Sequence, residues 1–128
     1  MQGKIIESFI AAFFTILFIQ SGLDKVINWK DELAFNKEHF SKTFLKPFVP
    51  LLLGILTVLE LSSGLLSATG VVSLWMGSGI LYCYACCLCA VTLLCLFFGQ
   101  RIAKDYGGAQ ALVAYFIVAL LGIAWLTL

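Results

Sequence analysis

Residues 47–100 read PFVPLLLGILTVLELSSGLLSATGVVSLWMGSGILYCYACCLCAVTLLCLFFGQ, and this stretch contains a single charged side chain, Glu60. A run so long and so apolar predicts bilayer-spanning helices rather than the core of a soluble domain. A lone carboxylate in hydrocarbon costs at least ~2.5–3.5 kcal/mol unless its surroundings compensate. Glu60 therefore has a partner, stays protonated, or faces a wet cavity, and each outcome makes it a candidate functional residue.

The rest of the chain agrees. It has 128 residues, 62% hydrophobic and 12% charged, with a mean hydropathy of +1.04. Globular domains carry roughly 25% charged residues. At about 20 residues per span the chain has room for four helices in one domain, residues 1–128. A net charge of +1, with no basic cluster interleaved with aromatics, excludes a nucleic-acid-binding surface. The five cysteines fall between Cys83 and Cys95 inside one apolar segment, unlike a disulfide scaffold, which spreads them through loops.

The first span is expected over residues 5–23. Its apolar run exceeds the ~7–15 residues of a signal-peptide core, and it lacks a small-residue cleavage site, so it reads as a retained helix. Residues 24–46 then hold five lysines, four acids and His39. Trp29, Leu33, Phe40 and Phe44 recur at spacings of 4, 7 and 4, on one face of a helix. That pattern predicts an amphipathic helix in the headgroup region with its phenylalanines in the acyl chains; a solvated polar loop is the alternative. The second span is expected over 47–68, entered through Pro47 and Pro50 and closed by a turn at Ser67-Ala68-Thr69-Gly70. The third, 72–98, is long for the hydrocarbon core and so tilts or protrudes. A polar link, 100–108, leads to the last span, 109–128.

Seven cations fall in segments 24–46 and 100–108, against Lys4 alone on the opposite side. The positive-inside rule then puts both segments in the cytoplasm and both termini outside.

Among polar groups at the depth of Glu60, Tyr82 and Tyr84 on the third span are the expected partners, and a tyrosine would suit a neutral carboxylic acid. Glu7 lies nearer the outer surface. Glu60 reads either as a proton-relay or polar-ligand group or as a structural hydrogen-bonding group. Ser63 with Ser67, and Gly64 with Ala68, form a small-residue packing seam, within the bundle or with another subunit. The cysteines read as small polarisable packing residues, since C-x-x-C on a continuous helix is poorly directed for a disulfide. No metal site is expected, and His39 alone cannot supply paired axial ligands to a haem. There is no nucleophile–base set and no phosphate loop, so the chain does not read as a self-sufficient enzyme. On the cation-rich side, Gln20, Asp24, Lys25, Arg101, Asp105 and Tyr106 gather. Lys25 with Asp105, or Arg101 with Asp24, could pair there; otherwise they are ordinary solvated charges.

Three segments carry a resemblance. Phe18-Ile19-Gln20-Ser21-Gly22-Leu23-Asp24-Lys25 is one. Val58-Leu59-Glu60-Leu61-Ser62-Ser63-Gly64-Leu65-Leu66-Ser67-Ala68-Thr69-Gly70 is the second. The third is Arg101-Ile102-Ala103-Lys104-Asp105-Tyr106-Gly107-Gly108-Ala109, leading into Tyr115-Phe116. Together they resemble the DoxX family of small four-helix membrane proteins, with Gly22, Lys25, Glu60, Gly64 and Gly70 on the family's pattern. The cysteine cluster is not part of that pattern.

The resemblance implies an all-α, four-transmembrane-helix bundle in the bacterial cytoplasmic (inner) membrane. It also implies a role as an accessory subunit of a quinone-linked oxidoreductase complex, with other membrane subunits or further copies of the chain as partners. Taken with the polar groups read from the residues themselves, the candidates for a proton or quinone site are Glu60, Tyr82, Tyr84, Lys25 and Gln20. Quinone is the implied ligand, and no covalently bound cofactor is expected. A scaffold or assembly factor that binds another membrane protein is the alternative, and a small transporter of protons or a neutral solute comes third.

Overall fold

The computed structural model describes residues 2–127, with side chains described from Lys4 to Ala124. Five α-helices follow in order: α1 (Gln2–Ile27), α2 (Trp29–His39), α3 (Val49–Trp75), α4 (Ile80–Ile102) and α5 (Tyr106–Thr127). Four of them, α1, α3, α4 and α5, are long and apolar enough to cross a membrane, which makes this a multi-pass membrane protein. Position 128, the expected end of the last span, lies outside the described residues.

α3 packs between α1 and α4, and α5 lies chiefly against α4. The bundle is tight where side chains are small. A Cβ on Gly64 would stand 2.9 Å from the backbone nitrogen of Ile19, and one on Gly22 would stand 2.6 Å from the Leu61 side chain. In hydrocarbon, helices associate through such close backbone approach rather than through a hydrophobic drive. Phe14, Phe18, Cys89, Ala90, Leu93 and Ala119 form the core between α1, α4 and α5. Large apolar residues such as Phe9, Ile16, Val58, Leu65 and Leu121 point outward. An apolar outer surface suits acyl chains as its solvent.

The helix boundaries differ from the sequence expectation at the second turn. Ser67-Ala68-Thr69-Gly70 is not a turn. α3 runs on to Trp75, and the reversal occurs at Met76–Gly79, where Gly77 has φ +98°. The Thr69 hydroxyl donates back to the carbonyls of Leu65 and Leu66, both at 3.1 Å, so a polar residue is accommodated without ending the helix. Gly70 serves close packing, since a Cβ there would lie 3.1 Å from Tyr82 Cα. The third span accordingly begins at Ile80 and has 23 residues, a length of ~35 Å that needs no unusual tilt. The surplus length belongs to α3, with 27 residues.

At the other end, the expected 100–108 link contracts. α4 continues to Ile102 and α5 starts at Tyr106. The reversal uses Lys104 at φ +61°, and Asp105 Oδ1 accepts the Gly108 N–H at 3.0 Å, capping α5.

α2 is shorter than the expected amphipathic helix. It ends at His39, with Phe40 as its C-cap, so Phe44 falls in the following turns. The aromatic face divides. The Trp29 ring reaches within 4.0 Å of the Cβ position of Gly54, and the Phe40 ring within 3.6 Å of that of Gly99. Both pack onto the bundle rather than into lipid. Phe35 and Phe44 are the exposed pair. α2 thus folds back over the ends of α3 and α4, leaving α1 at Asn28, whose side-chain amide donates to Asp24 at 3.0 Å.

Candidate functional site

The partner of Glu60 is Lys25. The Lys25 ammonium, in the last turn of α1, donates to Glu60 Oε2 at 3.0 Å and to Ser21 Oγ at 3.0 Å. The Glu60 side chain is 1% exposed and that of Lys25 13%. Ser21 precedes Lys25 by one turn on α1, so a single helix face supplies both the cation and its neutral acceptor. The close contacts of Gly22 with Leu61 and of Gly64 with Ile19 fix the register of α1 on α3. That register brings Lys25 level with the carboxylate.

A paired Glu60 replaces the neutral, tyrosine-bonded acid expected from sequence. Tyr82 is fully buried on the other half of α4, where its hydroxyl and the Cys86 thiol both approach Gly122. Tyr84 is 60% exposed on the outer surface. Gln20 also faces outward. Of the five candidates, the structure therefore joins Lys25 and Glu60 and leaves the other three apart. Because α3 extends to Trp75, Glu60 also lies nearer the α2 end of its helix than the outer position expected.

Neither expected cross-pair of surface charges forms. Asp105 faces His39, with 3.7 Å between Oδ2 and Nε2. Arg101 stacks on Tyr106 at 4.6 Å, and Asp24 bonds Asn28.

The Lys25 side chain borders a cavity of about 530 Å³ between α2, α3 and α4. Its walls are apolar, with Phe40, Leu53, Leu56 and Leu59 among them, and its polar groups are Lys25, Glu32, Asn36, His39 and Gln100. One wall includes Leu52, Ile55, Leu94 and Phe98, which also belong to the outer surface of the helices, so the cavity opens sideways onto the apolar face. A volume in the ~300–1,000 Å³ range with a few convergent polar groups is typical of small-molecule sites. Glu60 stands behind Lys25 and is not part of the lining.

His39 fastens the cover. Its Nε2–H donates to Gln100 Oε1 at 2.8 Å, across from α2 to α4. The ring stacks on Phe35 at 5.4 Å and meets Phe40 edge-on at 5.1 Å. The sequence marks His39 only as a member of the charged 24–46 segment and as insufficient by itself for a haem. The nearest signal for its actual place is the flanking aromatic pair, and nothing local pointed to Gln100.

The small-residue seam lies inside the bundle. Ser63 Oγ and Thr92 Oγ1 share a hydrogen bond at 2.9 Å, Ser67 Oγ and Cys89 Sγ approach at 3.6 Å, and Gly64 meets α1. Ala68 beside them is half-buried. Cys86 and Cys89 are buried packing residues, while Cys87 and Cys95 face outward.

No protein-family model, curated protein or solved structure matches this chain.

Proposed function

We propose that this protein is an accessory membrane subunit of a quinone-linked oxidoreductase complex, and that the cavity between α2, α3 and α4 receives the quinone head. The observation that carries this reading is an amphipathic cavity opening onto the apolar helix surface, with a buried, neutralised ion pair at its edge. A ligand dissolved in the bilayer could enter sideways and place its ring among Leu53, Leu56, Leu59 and Phe40. Lys25 has spent two of its three N–H donors on Glu60 and Ser21, and the third is available for a ring carbonyl. Because Glu60 already balances the lysine charge, the site suits a neutral polar head better than an anion.

A bound quinone would supply the carriage of electrons and protons between its oxidised and reduced forms. The residues of this chain would bind and orient it: Lys25 by donating to an oxygen, Glu60 by holding the ammonium in place, and α2 by closing the cavity against water. In this reading the chain sits in a bacterial inner membrane. Segments 24–46 and 100–108 lie on the cytoplasmic side, and α2 lies in the headgroup region with Phe35 and Phe44 toward the acyl chains. The cation count supports that orientation.

The alternative is a scaffold or assembly factor for another membrane protein. Its small-residue seam is occupied inside the bundle by α1 and α4, so a partner would have to use other outward apolar residues. The test is purification in mild detergent followed by extraction of bound quinone and identification of co-purifying subunits. We expect quinone in the native protein and at least ~10-fold less in Lys25→Met/Glu60→Leu, a double variant that leaves no buried charge unpaired. Native protein recovered folded, with neither quinone nor a partner, would overturn the proposal.

A further inference from the structure

Glu60 is not the only buried acid. Glu7 lies on the inward stripe of α1, in line with Ala11, Phe14 and Phe18, and is 6% exposed. It makes no hydrogen bond or ion pair among the described residues. Beside it, Tyr82 is fully buried, and its hydroxyl has no hydrogen-bond partner among the described residues. Ala11 packs directly on Tyr82 and Cys86, and Glu7 lies one turn before Ala11 on the same inward stripe of α1.

Between the two acids the polar groups do not stop. From Glu60, the buried face of α3 continues through Ser63 and Ser67. Ser63 is joined to Thr92, and Ser67 to Cys89. On α4, Cys89 is followed at one-turn intervals by Cys86 and Tyr82, toward the end where Glu7 lies. The Cβ atoms of successive members on one helix face are about 5–6 Å apart. A single water molecule with hydrogen bonds of ~2.8 Å spans such a gap.

We infer that this file of buried side chains is a proton path across the bundle, from the cavity at Lys25–Glu60 to Glu7 at the opposite end. A proton that reaches Glu60 past Lys25 passes on through the hydroxyls and thiols of the file, each group receiving one proton as it releases another. It leaves from the Glu7 carboxylate, so no member of the file changes its net protonation. Chains of intramembrane acids and hydroxyls have this role in pumps and transporters. Lys25, which lines the cavity and bonds Glu60 at 3.0 Å, stands between the cavity and the first member of the file. The path shares Glu60 with the proposed quinone site but does not require quinone, and a purely structural set of hydrogen bonds would conduct nothing.

The experiment uses the full chain in quinone-free, potassium-loaded liposomes with valinomycin and an internal pH indicator. An imposed pH gradient should decay several-fold faster than in protein-free vesicles. Glu7→Gln should return the decay to the protein-free rate, and this variant should fold, since it breaks no hydrogen bond among the described residues and its charged neighbour Lys4 keeps its contact with the Trp75 ring. Glu60→Gln should do the same, Thr92→Val should slow the decay, and Cys87→Ser, on the outer surface, should change nothing. Native decay at the protein-free rate, or Glu7→Gln conducting as the native protein does, would overturn the path and leave the quinone reading standing. Loss of quinone binding with conduction intact would do the reverse.

Discussion

At the residue scale, the Lys25–Glu60 pair has asymmetric energetics. Two charges removed from water gain little net stability from each other, yet removing one strands the other. Lys25→Met should therefore destabilise the protein by about 3–5 kcal/mol, less whatever is recovered if Glu60 takes up a proton. Lys25→Met/Glu60→Leu should recover most of that loss. Unfolding in mixed detergent micelles, followed by helical signal, would check it, and a double variant no better than the single would contradict the account. Glu60 was legible in the sequence because any acid in so apolar a run stands out. The identity of its partner was not. Tyr82 and Tyr84 matched in estimated depth, whereas Lys25 stood in a segment read as leaving the membrane. Depth along one helix says nothing of which face a neighbour presents.

The helices raise a different question, of boundaries and contact. Four spans could be counted from hydropathy, but the α3–α4 reversal was placed too early. Small polar residues favour turns in water, yet in a helix their hydroxyls bond back to the preceding turn, as Thr69 does. Gly77, with its positive φ, made the reversal instead. The same ambiguity attends Gly64, which reads equally well as an internal or an external seam. Its contact with the Ile19 backbone settles that it is internal. Gly64→Leu should therefore push α1 away from α3 and lower stability by several kcal/mol, the range expected when a packed core is overfilled and its polar pairs disturbed. Gly64→Ala, which adds only the Cβ, should already lower stability, because that atom would stand 2.9 Å from the Ile19 backbone nitrogen. A Gly64→Ala protein as stable as the native one would place the seam elsewhere.

For the whole molecule, the charged segments set the arrangement in the membrane. With five lysines in 24–46 and two cations near the α4–α5 reversal, both are expected in the cytoplasm. Ser41→Cys should be protected from a membrane-impermeant maleimide in intact cells and labelled after permeabilisation. Ser78→Cys, in the α3–α4 turn, should be labelled in both. The native cysteines lie within α4 and should not react with such a reagent. The opposite pattern would invert the topology and put the cavity at Lys25 on the outer side.

What the amino-acid sequence determined by itself was the solvent of this protein and the number of its crossings. Hydropathy adds up along the chain, and backbone hydrogen bonding in hydrocarbon leaves a helix as the local solution for such segments. The tertiary structure alone decided which cation faces the buried acid, that the small-residue face is spent internally, and that α2 folds back to form one wall of a cavity. Each of those depends on the register between helices far apart in sequence, 35 residues in the case of Lys25 and Glu60. Register is set by how ridges and glycines interlock across a contact, and no local pattern of residues encodes that.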